Sequence, residues 1–213
     1  MRIVLLDLDG TLTDPQVGIL ASYDHAMASL GLPPVPAERR HACIGPPLRD
    51  VFADLGVPAE RLDDAVAGYR EYFAPTGMFE NRVYDGIPEA LAAMRDAGLR
   101  LAVATSKPEP YARRILEHFE LDGWFEHIAG ATLDGRVGAK ADIIALALEA
   151  LGAEADADVV MVGDRSHDVL GAAAHGLACL GVAWGYAAPG ELEAAGAIAV
   201  ARDPAELVEL VLG

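Results

Sequence analysis

In LLDLDGTLTD, residues 5–14, two aspartates follow an apolar run with a single leucine between them. Side chains of an extended strand alternate faces, so Asp7 and Asp9 would point the same way, about 7 Å apart. Like charges that close are costly at the edge of a hydrophobic core. Further along come Thr105 and Ser106, then Lys140, then GDRSHD with Asp164 and Asp168. Each has an ordinary structural explanation by itself: Thr-Ser caps a helix, a lysine is solvated, Gly-Asp makes a turn. As a set, carboxylates, hydroxyls and one lysine can capture an anion through local charge or a bound metal.

A sheet is needed to gather them. Apolar runs at 3–6, 99–105, 127–129, 159–162 and 178–182 predict buried parallel strands, with a sixth at 198–200. Helical patterns follow at 108–119, 139–151 and 167–175, and a last helix starts at Pro204. Strands alternating with helices predict an α/β domain with a parallel sheet. In such sheets, sites form beyond the carboxyl ends of the strands. Asp7, Asp9, Thr105, Ser106, Asp164 and Asp168 all fall at such ends. Lys140 opens the helix before the fourth strand.

The stretch from Asp14 to Arg82 breaks this rhythm and holds no convincing strand. Asp14 reads as an N-cap with Pro15 at the first helical position. Leu20, Tyr23, Met27 and Leu30 then mark one helix face, and Leu62, Val66, Tyr69 and Phe73 mark another. This predicts an all-helical insert at 14–82 within a core made of 1–13 and 83–213.

Composition narrows the function. The chain has 213 residues, is 53% apolar and carries a net charge of −17. That charge argues against general nucleic-acid binding and against an anionic membrane surface. Lysine occurs only at Lys107 and Lys140. Cys43 and Cys179 lack metal-ligand spacing and read as buried thiols in a reducing cytosol. The short apolar start does not make a signal peptide, and no stretch is long enough to span a membrane. Together these imply a cytoplasmic protein. His25, His41, His118, His127 and His175 show no metal-ligand spacing. The oligomeric state is not legible.

Asp7, Asp9 and Thr11, the Thr/Ser pair, Lys140, and Gly163 with Asp164 and Asp168 occur in the order that defines the haloacid dehalogenase superfamily. The sequence strongly resembles that superfamily, and IGPPL, VYDGI, VATSKP and VMVGDRSHD look most like its phosphoglycolate-phosphatase-like branch. The resemblance implies a Rossmann-like parallel sheet with an inserted helical cap. It also implies a phosphatase of a small phosphorylated metabolite, phosphoglycolate being the first candidate. Asp7 would be the nucleophile, forming an aspartyl-phosphate, and Asp9 would protonate the leaving oxygen and then activate water. Two carboxylates and a phosphate need a hard cation between them, and Mg²⁺ suits that donor set. By the resemblance its ligands are the Asp7 carboxylate, the Asp9 backbone carbonyl and the Asp164 carboxylate, with Asp168 orienting them. Thr105, the Ser106 backbone N–H and Lys140 would hold phosphoryl oxygens. Asp7 or Asp164 would face Lys140 in the empty site, and Lys107 is expected to matter much less. Arg49, after GPPL, is a candidate for a substrate carboxylate; Arg165 and His167 would hold their loop.

Alternatives divide on single residues. A dehalogenase would lack Asp9. A phosphonatase would need a cap lysine, and no lysine precedes Lys107. A sugar-phosphate mutase keeps both aspartates and stays open, as do a 5'-nucleotidase and a pyrophosphatase. A signalling receiver module also combines acids, Thr/Ser and Lys, but its second acidic position precedes the lysine and it has no helical insert.

Overall fold

The computed structural model describes residues 2–156 and 158–213. The chain divides into two compact units, one of Met1–Asp14 and Val83–Gly213, the other of Pro15–Arg82.

The first unit is built on strands β1 (Ile3–Leu6), β4 (Arg100–Pro108), β5 (His127–Ala131), β6 (Val159–Gly163), β7 (Ala178–Val182) and β8 (Ala199–Ala201). Their order across the sheet is β5-β4-β1-β6-β7-β8, and every adjacent pair is parallel. All four residues of β1 are buried, as expected for a strand covered on both faces. Alternation is clean: Ile3, Leu5, Ala102, Ala104, Val159 and Met161 join one core cluster. Helices α6 (Lys140–Leu151) and α7 (Ser166–Ala173) add Ile143, Ile144, Ala147 and Val169 to that cluster. The unit is completed by α4 (Ile87–Asp96), α5 (Glu109–His118), α8 (Glu191–Ala195) and α9 (Pro204–Leu212). This is the expected Rossmann-like α/β fold. Chain order reverses on either side of β1, which lies between β4 and β6, and such a switch point opens a crevice at the strand ends.

Strand β4 differs from the sequence expectation in a way that bears on the site. Strand β4 runs past Thr105 to Pro108, with its register against β5 slipping between Thr105 and Pro108. Ser106 and Lys107 therefore sit on an irregular strand end, and α5 starts one residue later than expected, at Glu109. Strand β1 ends at Leu6, as the sequence predicts, and a tight turn begins at Leu8. The Leu8 carbonyl accepts the N–H groups of Thr11, Leu12 and Thr13. Asp7 therefore precedes this turn and Asp9 lies within it, each in reach of the other's charge.

The chain leaves this unit through β2 (Thr13–Asp14) and returns through β3 (Arg82–Val83). Asp14 is not the helix cap that the sequence suggests: its carboxylate accepts the Tyr186 hydroxyl, and α1 (Gln16–Ser29) starts after Pro15 with no side-chain cap. The second unit holds α1, α2 (Leu48–Asp54) and α3 (Leu62–Phe73). Leu20, Tyr23 and Met27 are buried as the periodicity predicts. The buried stripe of α3 is Ala65, Gly68, Tyr69 and Phe73, so Leu62 and Val66 flank it. Small residues win that face because α1 comes close: a Cβ on Gly68 would lie 3.3 Å from Ala26 Cα. Tyr23 fills the space beside them, edge-on to Phe52 and Tyr69 with ring centroids 5.0 Å away in both cases.

Candidate active site

Three adjacent strands bring the acids and hydroxyls together. Asp7 follows β1, Thr105 lies in β4, and Asp164 follows β6; all three residues are buried. The Asp7 N–H still donates to the Val162 carbonyl at 2.9 Å, so the sheet itself fixes where that carboxylate begins. Asp168 sits in the first turn of α7, where one of its oxygens accepts the Arg165 N–H at 3.1 Å.

Lys140 crosses into this cluster from the start of α6. Its Nζ lies 3.0 Å from Asp7 Oδ1 and 2.7 Å from Asp168 Oδ1. It also donates to the Ala104 carbonyl within β4, at 2.9 Å. Burial alone would push the ammonium towards losing its proton, but Asp168 and Asp7 outweigh burial and hold it above the ordinary lysine value. The partner beside Asp7 is thus Asp168, not Asp164. Close passage of the lysine stem depends on Gly171 of α7, whose absent Cβ would lie 2.6 Å from Lys140 Cγ.

One lysine cannot neutralise three buried acids. Burial, then the neighbouring Asp168 and Asp7 charges, raise the Asp164 carboxyl well above the usual range. Burial also raises Asp168, to about 6, against the pull of Lys140. Oxygens of Asp7, Asp164 and Asp168 lie within 4.8 Å of one another. Asp168 is committed to Lys140 and the Arg165 N–H, whereas Asp164 Oδ1 has no hydrogen-bond partner among the described residues. A buried, all-oxygen cluster with surplus negative charge fits a hard divalent cation such as Mg²⁺. Asp7 and Asp164 are the carboxylates available to hold it.

Asp9 has a lysine of its own. Lys107 Nζ pairs with Asp9 Oδ2, a contact between residues 98 positions apart. Burial raises the Asp9 carboxyl, and Lys107 works against that rise. The lysine expected to matter little is therefore packed on Asp9. Beside it, the Thr105 hydroxyl accepts the Lys107 N–H at 3.2 Å, while Ser106 is exposed. Arg165 holds its loop as expected, through Glu191 at 3.0 Å; the same Glu191 also accepts the Ser166 and Ala188 N–H groups. His167 is exposed. In the other unit Arg49 is exposed and pairs with Asp63.

A family model described as haloacid dehalogenase-like hydrolase matches residues 4–182, which takes in the whole constellation. The chain belongs to the haloacid dehalogenase-like hydrolases. A 5'-nucleotidase of Pseudomonas aeruginosa is 46% identical over 192 residues, covering 90% of this chain and 86% of that protein. Tyrosine-protein kinase PtkA of Mycobacterium tuberculosis is also 46% identical, over 185 residues and 87% of this chain. The chain spans 63% of the length of that kinase. Among solved structures, a predicted phosphatase from Clostridium acetobutylicum superposes with a TM-score of 0.93 at 40% identity, covering 99% of this chain and 98% of that one. No helix among the described residues is long and apolar enough to cross a membrane.

Proposed function

We propose that this protein is a Mg²⁺-dependent phosphatase of small phosphate monoesters, with 1–13 and 83–213 as its catalytic core and 14–82 as its cap. The observation that carries the reading is the buried Asp7 carboxylate, set between Lys140 and the under-neutralised Asp164. Asp7 attacks phosphorus as the ester P–O bond breaks, and an aspartyl-phosphate forms. Asp9 gives its proton to the leaving oxygen. It then takes a proton from water, whose oxygen attacks the same phosphorus and frees the Asp7 carboxylate and inorganic phosphate. Lys140, Thr105 and the Ser106 N–H hold phosphoryl oxygens as charge spreads over them. Asp168 keeps Lys140 aimed. Mg²⁺, when bound by Asp7, the Asp9 carbonyl and Asp164, supplies positive charge that lets the acids and the phosphate share one pocket.

Phosphoglycolate and a nucleoside 5'-monophosphate are the two substrate candidates. Arg49 is the one residue put forward for a carboxylate, and it would first have to leave Asp63. The greater similarity is to a 5'-nucleotidase. On both counts the nucleotide ranks first. Turnover of p-nitrophenyl phosphate is expected with Mg²⁺, to vanish in excess EDTA and to return when Mg²⁺ is restored. Full activity in EDTA would contradict the reading. A panel of phosphate esters compared by kcat/KM then ranks the substrates. The same assay with ATP, followed by mass spectrometry of the protein, separates hydrolysis from the tyrosine phosphorylation named for PtkA.

A further inference from the structure

Asp164 is gripped in a way that none of the motif residues explains. One carboxylate oxygen, Oδ2, accepts the Tyr186 backbone N–H at 2.8 Å. The other, Oδ1, is buried with no hydrogen-bond partner among the described residues. Backbone walls the side chain on two sides. A Cβ on Gly185 would lie 2.3 Å from Asp164 Cβ and 2.5 Å from the Gly10 carbonyl oxygen. A Cβ on Gly10, whose φ is +84°, would lie 2.1 Å from Asp164 Oδ2. No other residue fits either place, since real Cβ contacts do not fall that short.

The residues that supply this wall follow β7. Trp184 donates its indole N–H to the Thr11 carbonyl at 3.0 Å, and its ring meets Tyr84 edge-on. Tyr186 is buried and donates its hydroxyl to the Asp14 carboxylate. Both anchors lie in 11–14, the segment just beyond Asp7 and Asp9. Trp184, Gly185 and Tyr186 thus bind the arm carrying Asp164 to the arm carrying Asp7.

We propose that Trp184–Gly185–Tyr186 is a positioning loop for Asp164, occupying one carboxylate oxygen so that the other is presented, without freedom to turn away, to the divalent cation. This inference rests on the reading of the site as a Mg²⁺ centre. Groups that orient a metal ligand typically contribute about 10–100-fold in metal affinity.

Calorimetric titration of the full chain with MgCl2 tests it, with the heat-stability gain conferred by Mg²⁺ as a second readout. Gly185→Ala is expected to bind Mg²⁺ about 10–100-fold more weakly. Its melting temperature in EDTA is expected to fall, because the added Cβ has no room, so Mg²⁺ affinity is compared only on protein whose circular dichroism shows the wild-type fold. Trp184→Phe keeps the ring and loses the Thr11 hydrogen bond, so a smaller loss is expected; it decides the matter if Gly185→Ala does not fold. Wild-type affinity in both variants, alongside loss of binding in Asp164→Asn, would overturn the positioning role and leave the metal site standing. Absence of Mg²⁺ binding by the wild type would instead overturn the proposed function on which this rests.

Discussion

Asp7→Asn is expected to lose turnover by about 10⁴-fold or more, since no covalent route survives without the nucleophile. The same substitution should not weaken the fold. Asp7 shares a buried cluster with Asp164 and Asp168, and Lys140 is its cation. Removing one charge relieves the repulsion that raises Asp164, and Lys140 keeps Asp168 and the Ala104 carbonyl. In EDTA the variant should match the wild type in stability or exceed it by on the order of 1 kcal/mol. Paired activity and thermal-melt measurements check both halves. An active Asp7→Asn enzyme would remove the nucleophile assignment; an inactive variant that is strongly destabilised would mean that Asp7 serves the fold.

Lys140→Ala should fail in both respects. Loss of a cation that stabilises transition-state charge costs about 10²–10³ in kcat. Stability should fall too, by about 3–5 kcal/mol, because the loss leaves buried carboxylates uncompensated. Lys140 is 6% exposed and Asp168 1%, so water cannot take over the pairing. Chemical denaturation monitored by circular dichroism, with kcat measured at saturating Mg²⁺ on the folded fraction, separates the two effects. Normal kcat in folded Lys140→Ala would contradict its place on the phosphoryl group. Lys107→Ala belongs in the same experiment, because Lys107 pairs with Asp9 as Lys140 pairs with Asp7.

The sheet was readable because parallel strands covered on both faces are continuous apolar runs, as Ile3–Leu6 is. Positions at the ends of those runs then located Asp7, Thr105 and Asp164. Spacing gave less where backbone geometry departs from the regular period. The irregular end of β4 carries Lys107, which beside Pro108 reads as a solvated turn residue. Its contact with Asp9 exists only in the folded chain. The short α2, closed in between Pro47 and Gly56, left no periodic stripe to read. Tyr69 and Phe73 of the α3 stripe are buried where spacing puts them, but Leu62 and Val66 give way to Ala65 and Gly68 because α1 approaches closely there. Trp184, Gly185 and Tyr186 matched no motif, for their work is done mostly by backbone: an N–H, and the space left by a missing Cβ.

The central claim is a phosphoryl group carried on Asp7. Asp9→Asn keeps the nucleophile and removes the group that activates water, so hydrolysis of the intermediate should slow. The variant can be mixed with p-nitrophenyl phosphate and Mg²⁺, quenched rapidly in acid, digested and read by mass spectrometry. The account predicts one added phosphoryl group, located on Asp7 and absent from an Asp7→Asn/Asp9→Asn control. A phosphoryl group on any other residue, surviving in that control, would contradict it.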